Sequence, residues 1–329
     1  MDRSKNVVVL LCSLLLLLLL AGCAASVPLA INRGLRDHHT NGEVAVFTPV
    51  TNNTGIFVAP GINMYSLVYW SRGHRVQAYV DVPPGKGPFP LIIYLHGGYQ
   101  VPEPLPGQSF HVDYWAVTPR HAAFFSQYGM VSFIPNFSGY GPSHGSIGDA
   151  HDNYLDTMDG LRALSHLSAV HLEHKIFLIG TSMGGGVAMF LAERLTDVRA
   201  MELISPYPGA HLFMGWMESQ RFAALDTQDQ AEYLDFFTTH GSNLSTKWYS
   251  ANSVAFRLID IPVLIIAGSK DPILPPALEI LLYHHIRKHD RQVQIRFYPE
   301  GHDPVEASAL TKETQWFTNN GLPNVMPWE

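Results

Sequence analysis

Between Lys175 and Leu195 the chain runs from an apolar stretch, Lys175–Ile179, through Gly180-Thr181-Ser182-Met183-Gly184 into a helical pattern, Met183–Leu195. This turn constrains the fold more than any other feature. A chain can leave a buried strand and enter a helix within so few residues only if the turn is tight. A side chain at either glycine would collide with neighbouring backbone. The turn lifts the Ser182 hydroxyl above a sheet edge, at a helix N-terminus whose dipole favours developing negative charge.

The rest of the chain fits a sheet around that junction. Met64–Ser71 and Arg75–Val82, joined at Arg72-Gly73-His74, predict an antiparallel hairpin, broken by Pro83-Pro84-Gly85. Leu91–Leu95 and Val131–Ile134 are short apolar runs, the form of strands buried on both faces. Between them a helix opens at Thr118-Pro119 and closes at Gly129. Tyr154, Met158, Leu161 and Leu164 recur at helical spacing within Asn153–Leu167. Further strands are expected at Met201–Ile204, Pro262–Ala267 and Val293–Tyr298, and helices at Ala277–Lys288 and Pro304–Asn319. The alternation predicts an α/β fold with a mostly parallel central sheet of about eight strands, flanked by helices on both faces. The stretch from Ser205 to Ile261 has helical patches and is too long for an ordinary connection. A helical cap insertion over residues 206–260 is expected there, within a domain of residues 62–320 followed by a tail at 321–329.

Charged residues make up 15% and hydrophobic residues 47% of the chain, which argues against disorder. A net charge of −7, with no basic run beyond the start, argues against nucleic acid as a partner. At the start, Arg3 and Lys5 precede an apolar stretch, Val7–Ala21, too short for a comfortable membrane span. It ends in Leu20-Ala21-Gly22-Cys23, which resembles a bacterial lipoprotein signal. That resemblance implies cleavage before Cys23 and lipidation of its thiol. Residues 1–22 would be a signal peptide and residues 23–61 a tether and irregular lead-in. The protein would be exported to a bacterial cell envelope and lipid-anchored at the outer or cell membrane. Cys12 and Cys23 are the only cysteines, so the mature chain would have no internal disulfide. Nothing in the sequence speaks to oligomeric state.

A serine hydroxyl needs a general base, and the base needs an orienting acid. After the strand Pro262–Ala267 comes Gly268-Ser269-Lys270-Asp271-Pro272, and after Val293–Tyr298 comes Glu300-Gly301-His302-Asp303. Both loops leave the same sheet edge as the Ser182 turn, so Ser182, His302 and Asp271 can converge as nucleophile, base and acid. Glu300 and Asp303 are the rival acids. The oxyanion needs two backbone donors. One is expected from Met183, and the other from Gly98 or Tyr99 in the glycine loop His96-Gly97-Gly98-Tyr99. His96 reads as a loop residue hydrogen-bonded in place. His171-Leu172-Glu173-His174 lacks zinc-site spacing and reads as a solvated helix end. The sequence contains no phosphate loop, dinucleotide fingerprint or metal-ligand cluster, and the chemistry requires no cofactor. Phe137, Tyr140 and Trp216 are candidate pocket residues, although core packing is the simpler account of the aromatic cluster around Trp216.

From Met64 to Asn319 these residues resemble the α/β-hydrolase superfamily. The run Phe89-Pro90-Leu91-Ile92-Ile93-Tyr94-Leu95-His96-Gly97-Gly98 and Gly139-Tyr140-Gly141 are similar to the branch holding dienelactone hydrolases, acetyl esterases and prolyl oligopeptidases. The resemblance implies an α/β-hydrolase fold and a serine hydrolase. Peptidases of that branch often carry Tyr after the nucleophile, where this chain has Met183. Too few residues precede the first strand for their propeller. Both departures favour carboxylic esters over short peptides as substrates. A third reading, a non-catalytic binding lipoprotein, would leave every catalytic position filled without use.

Overall fold

The computed structural model describes residues 39–50, 58, 60–98, 125–219, 246–288, 292–302, 304 and 315–322. Cys23 with its apolar leader, Tyr99, Asp303 and much of the expected cap lie outside the described residues.

Nine strands form one sheet: β1 (Val44–Pro49), β2 (Asn63–Ser71), β3 (His74–Val82), β4 (Phe89–Leu95), β5 (Val131–Pro135), β6 (Leu172–Thr181), β7 (Val198–Ile204), β8 (Val263–Gly268) and β9 (Val293–Tyr298). Their spatial order is β1-β2-β3-β5-β4-β6-β7-β8-β9. The first three strands and the β3–β5 contact are antiparallel, and every pairing from β5 to β9 is parallel. The described helices are α1 (Ala150–Ser165), α2 (Met183–Ala192), α3 (Ala210–Met217), α4 (Thr246–Ala251) and α5 (Pro276–Arg287), with a 3-10 turn at Phe256–Leu258, and residues 125–126 and 315–319 are also helical.

The two-residue period of a strand explains why β4 reads as continuous apolar sequence. Leu91, Ile93 and Leu95 enter one core cluster, and Ile92 and Tyr94 enter the cluster on the opposite face. Each such side chain taken from water stabilises the fold by about 1.5–3 kcal/mol. Helix α2 is buried at every position, as its run Val-Ala-Met-Phe-Leu-Ala requires. Helix α1 starts at Asp149, whose side chain accepts from the Asp152 N–H, and turns a mixed face inward.

The structure departs from the sequence reading in three places. Val44–Pro49, assigned to an irregular lead-in, is a strand paired with β2, so the sheet has nine strands. Leu172–His174 opens β6 and is not a helix end. Its polar residues lie at the exposed start of a strand whose later residues are buried. Helix α2 ends at Ala192, three residues before Leu195.

One buried group has no sequence rationale. Asp81, on β3, points into the face that holds Met64, Tyr79 and Phe125, and neither carboxylate oxygen has a hydrogen-bond partner among the described residues. Burial raises its pKa from 3.8 to about 8, so a proton is retained at neutral pH.

Parallel strands bring the loops that follow β4, β6, β8 and β9 to one edge. Strand β4 lies between β5 and β6, so the chain leaves it in one direction and returns on the other side. Such a switch point opens a crevice beyond the carboxyl ends of the strands.

Candidate active site

Ser182 sits in that crevice, between β6 and α2, with φ 52° and ψ −120°. A non-glycine residue at positive φ is strained and persists only where its surroundings over-determine it. Here its N–H donates to the Ile204 carbonyl at 2.8 Å, and its own carbonyl accepts from the N–H groups of Tyr207 and Gly185 at 2.8 and 2.9 Å. The flanking glycines are required by space. A Cβ on Gly180 would lie 2.4 Å from the Gly184 carbonyl oxygen, and one on Gly184 would lie 2.1 Å from that of Leu95.

The Ser182 Oγ is 2.9 Å from the His302 Nε2, and the His302 Nδ1 is 2.8 Å from the Asp271 Oδ2. Asp271 is held from its other oxygen, which accepts from the Ile273 and Leu274 N–H groups at 2.8 and 2.9 Å. Its side chain is 1% exposed and that of His302 is 17% exposed. With the Nδ1–H given to the carboxylate, the Nε2 lone pair faces the serine hydroxyl. That is the tautomer a general base requires.

The loops that carry Asp271 and His302 interlock. The Ser269 N–H donates to the Tyr298 carbonyl at 2.7 Å, and the Lys270 N–H donates to that of Glu300 at 3.0 Å. A Cβ on Gly268 would lie 1.9 Å from the Gly301 carbonyl oxygen. This glycine carries no catalytic group, and only the folded approach of the two loops reveals its importance. Gly268→Ala is expected to push the His302 loop away from Ser182 and lower kcat by about 100-fold. Hydrolytic rate and thermal unfolding measured together would check this, and an unchanged kcat would mean the loops do not depend on that approach.

Met183 is the first residue of α2, where a backbone N–H has no intrahelical acceptor. Gly98 lies after β4 at φ 102°. The neighbouring His96 is buried, and its Nδ1–H donates to the Gly97 carbonyl at 2.8 Å. Burial lowers its pKa to about 4, which keeps it neutral and makes it a structural residue.

The pocket candidates fare differently. Phe137 is fully buried with its ring 4.4 Å from that of His96, and Tyr140 is 2% exposed, its hydroxyl on the Gly98 carbonyl at 2.7 Å. Trp216 is 3% exposed and packs against Phe213, which in turn meets Tyr207. All three therefore belong to the core and present almost no surface to a ligand, because apolar rings beside a sheet edge gain more from mutual packing than from water. Glu279 was not anticipated. It is buried in the first turn of α5 with no hydrogen-bond partner for its carboxyl among the described residues. Burial, then the nearby Asp271 charge, hold its pKa well above the ordinary value. A groove of about 500 Å³ lined by Gln294, Arg296, Gln315 and Trp316 opens beside β9. None of Ser182, His302 and Asp271 lines it, so its volume does not mark their site.

A mostly parallel sheet led by an antiparallel edge, with a strained serine between a central strand and a buried helix, is the α/β-hydrolase fold, and this chain is an α/β-hydrolase-fold protein. The family model described as alpha/beta hydrolase fold matches residues 90–247. An uncharacterized membrane protein of Saccharomyces cerevisiae is 35% identical over 77 residues, 23% of this chain and 26% of that protein. An uncharacterized peptidase of Bacillus subtilis, YtmA, is 22% identical over 78% of this chain and 94% of its own. Protein bem46 of Schizosaccharomyces pombe is matched over 50% of its length, so the chain spans half or less of two of these relatives. Acetyl xylan esterase 1 from Thermoanaerobacterium superposes with a TM-score of 0.57 at 18% identity, covering 84% of this chain and 88% of that one.

Proposed function

We propose that this protein is a serine hydrolase that cleaves carboxylic esters through an acyl-enzyme. The observation that carries the reading is the continuous hydrogen-bonded line from Ser182 through His302 to Asp271. Ser182 Oγ bonds to the acyl carbon while His302 Nε2 takes its proton. Negative charge gathers on the former carbonyl oxygen, where the N–H groups of Met183 and Gly98 are the candidate donors. As the tetrahedral intermediate collapses, its bond to the alkoxy oxygen breaks and His302 returns the proton to the departing alcohol. A water then loses a proton to His302 and attacks the acyl carbon, and the acid leaves with Ser182 restored. The Asp271 carboxylate, fixed by its two backbone donors, holds the ring and stabilises the imidazolium in both halves.

Methionine after the nucleophile and the likeness to a fold whose neighbours include acetyl xylan esterases support an ester as the substrate. The similarity to a protein named as a peptidase favours amide hydrolysis as the second reading, since both bonds pass through like intermediates. In the same proposal, Cys23 carries a lipid that holds the enzyme at a bacterial envelope membrane.

The test compares p-nitrophenyl acetate, butyrate and octanoate with aminoacyl anilides, using the protein without its first 23 residues. Turnover of the esters well above the anilides is expected, together with covalent labelling by a fluorophosphonate. Anilide turnover at the ester rate would shift the assignment to the second reading. Folded protein that neither turns over an ester nor labels would overturn the hydrolase reading.

A further inference from the structure

Gly98 presents a physical problem. It has no side chain and sits at φ 102° beyond the end of β4. Glycine has little conformational preference of its own, so a donor at this position is only as well aimed as its surroundings make it. Among the described residues two side chains restrain it: the His96 Nδ1–H donates to the Gly97 carbonyl at 2.8 Å, which fixes the peptide unit carrying the Gly98 N–H, and the Tyr140 hydroxyl donates to the Gly98 carbonyl at 2.7 Å, which fixes the peptide unit that follows. The tyrosine ring lies against the glycine, since a Cβ there would meet Tyr140 carbon at 3.4 Å.

Tyr140 is itself held. Its ring packs edge-on against His96 at 4.9 Å and against Phe137 at 6.3 Å. The loop that carries it is tied to β3, where the Asn136 N–H donates to the Gln77 carbonyl and the Gln77 N–H to the Ser143 Oγ. It is tied to α1 by the Ser138 N–H, which donates to Asp156 at 2.7 Å. Asp156 in turn receives the Arg72 guanidinium from the β2–β3 turn. The phenol is thus the end of a braced arm that reaches from the body of the sheet to the glycine loop.

We propose that Tyr140 is a positioning residue for the oxyanion site, fixing the carbonyl side of Gly98 while His96 fixes its N–H side, so that the loop is set before substrate arrives. The inference rests on the serine hydrolase reading above. It separates Tyr140 from a pocket role, because a buried ring bonded to the backbone contacts no substrate. The restraint acts where charge develops, so its loss appears in the chemical step and not in substrate binding.

The experiment is Tyr140→Phe, which removes one oxygen and keeps the ring, beside wild type and Ser182→Ala. Steady-state hydrolysis of p-nitrophenyl acetate, the rate of fluorophosphonate labelling and thermal unfolding are measured on each. The expected result is kcat and labelling rate lower by about 10- to 100-fold, with KM and the unfolding temperature little changed. An unchanged kcat overturns the proposal. A kcat that falls only together with the unfolding temperature also overturns it, since that is loss of packing. Wild-type protein that neither labels nor turns over fails the hydrolase reading instead, and this proposal with it.

Discussion

Replacing Ser182 with alanine is expected to lower kcat for an ester substrate by about 10⁴- to 10⁶-fold while leaving the protein folded. The magnitude follows from what remains. Without the hydroxyl no acyl-enzyme forms, and only the backbone donors and substrate binding act on direct attack by water. His302→Ala should cost nearly as much, and the double variant hardly more, because the two residues work as one unit and lose their effect together. The backbone at position 182 keeps its three hydrogen bonds in the alanine variant, so thermal unfolding should scarcely move. Steady-state hydrolysis, with active-site titration to exclude contaminating enzyme, is the measurement. Residual activity within tenfold of wild type would remove Ser182 from the role of nucleophile.

The second large effect concerns stability. Asp81 has a folded pKa of about 8 against 3.8 for the ordinary side chain. In the unfolded chain the group ionises first as pH rises, and in the folded chain it stays protonated. The unfolded state therefore holds fewer protons between about pH 4 and pH 8. The Asp81 contribution to stability is greatest below pH 4 and falls by about 1.4 kcal/mol per pH unit across that window. Asp81→Asn removes the slope while keeping a neutral side chain of the same shape. The variant should unfold with a stability near that of wild type at pH 4 and exceed it at pH 8 on the order of 5 kcal/mol. Urea unfolding at pH 4, 6 and 8 gives the comparison, and groups common to both proteins cancel. Curves that differ by a constant at every pH would mean that Asp81 is ionised in the folded protein.

The meeting of Ser182, His302 and Asp271 at one sheet edge was legible in the sequence because each follows an apolar run. The period of a buried strand and the glycines of a tight junction are local properties, and local properties survive in a string of letters. What was not legible depends on contact between distant segments. Val44–Pro49 becomes a strand by pairing with β2, and its own residues give only weak alternation. Gly268 is a glycine because the loop after β9 passes against it. Phe137 and Tyr140 were visible as aromatics near the functional edge, but sequence does not say whether a ring at the edge faces a cleft or turns inward. Glu279 occupies a polar place in a helical pattern, which ordinarily faces water. Only the meeting of α5 with the Asp271 loop puts it inside.

The position of β9 has a consequence for how activity is switched on during synthesis. Among the described strands this one is the outermost of the parallel set, and His302 hangs from the loop just beyond it. A chain made from its N-terminus completes the serine turn more than a hundred residues before His302 exists. On the proposed mechanism the nascent protein carries its nucleophile early and gains its proton acceptor only when β9 docks. Because outer strands open before central ones, the folded protein can, on the same mechanism, lose and regain His302 by local opening while the serine turn stays intact. Catalytic rate is then a running report on the docking of a single strand.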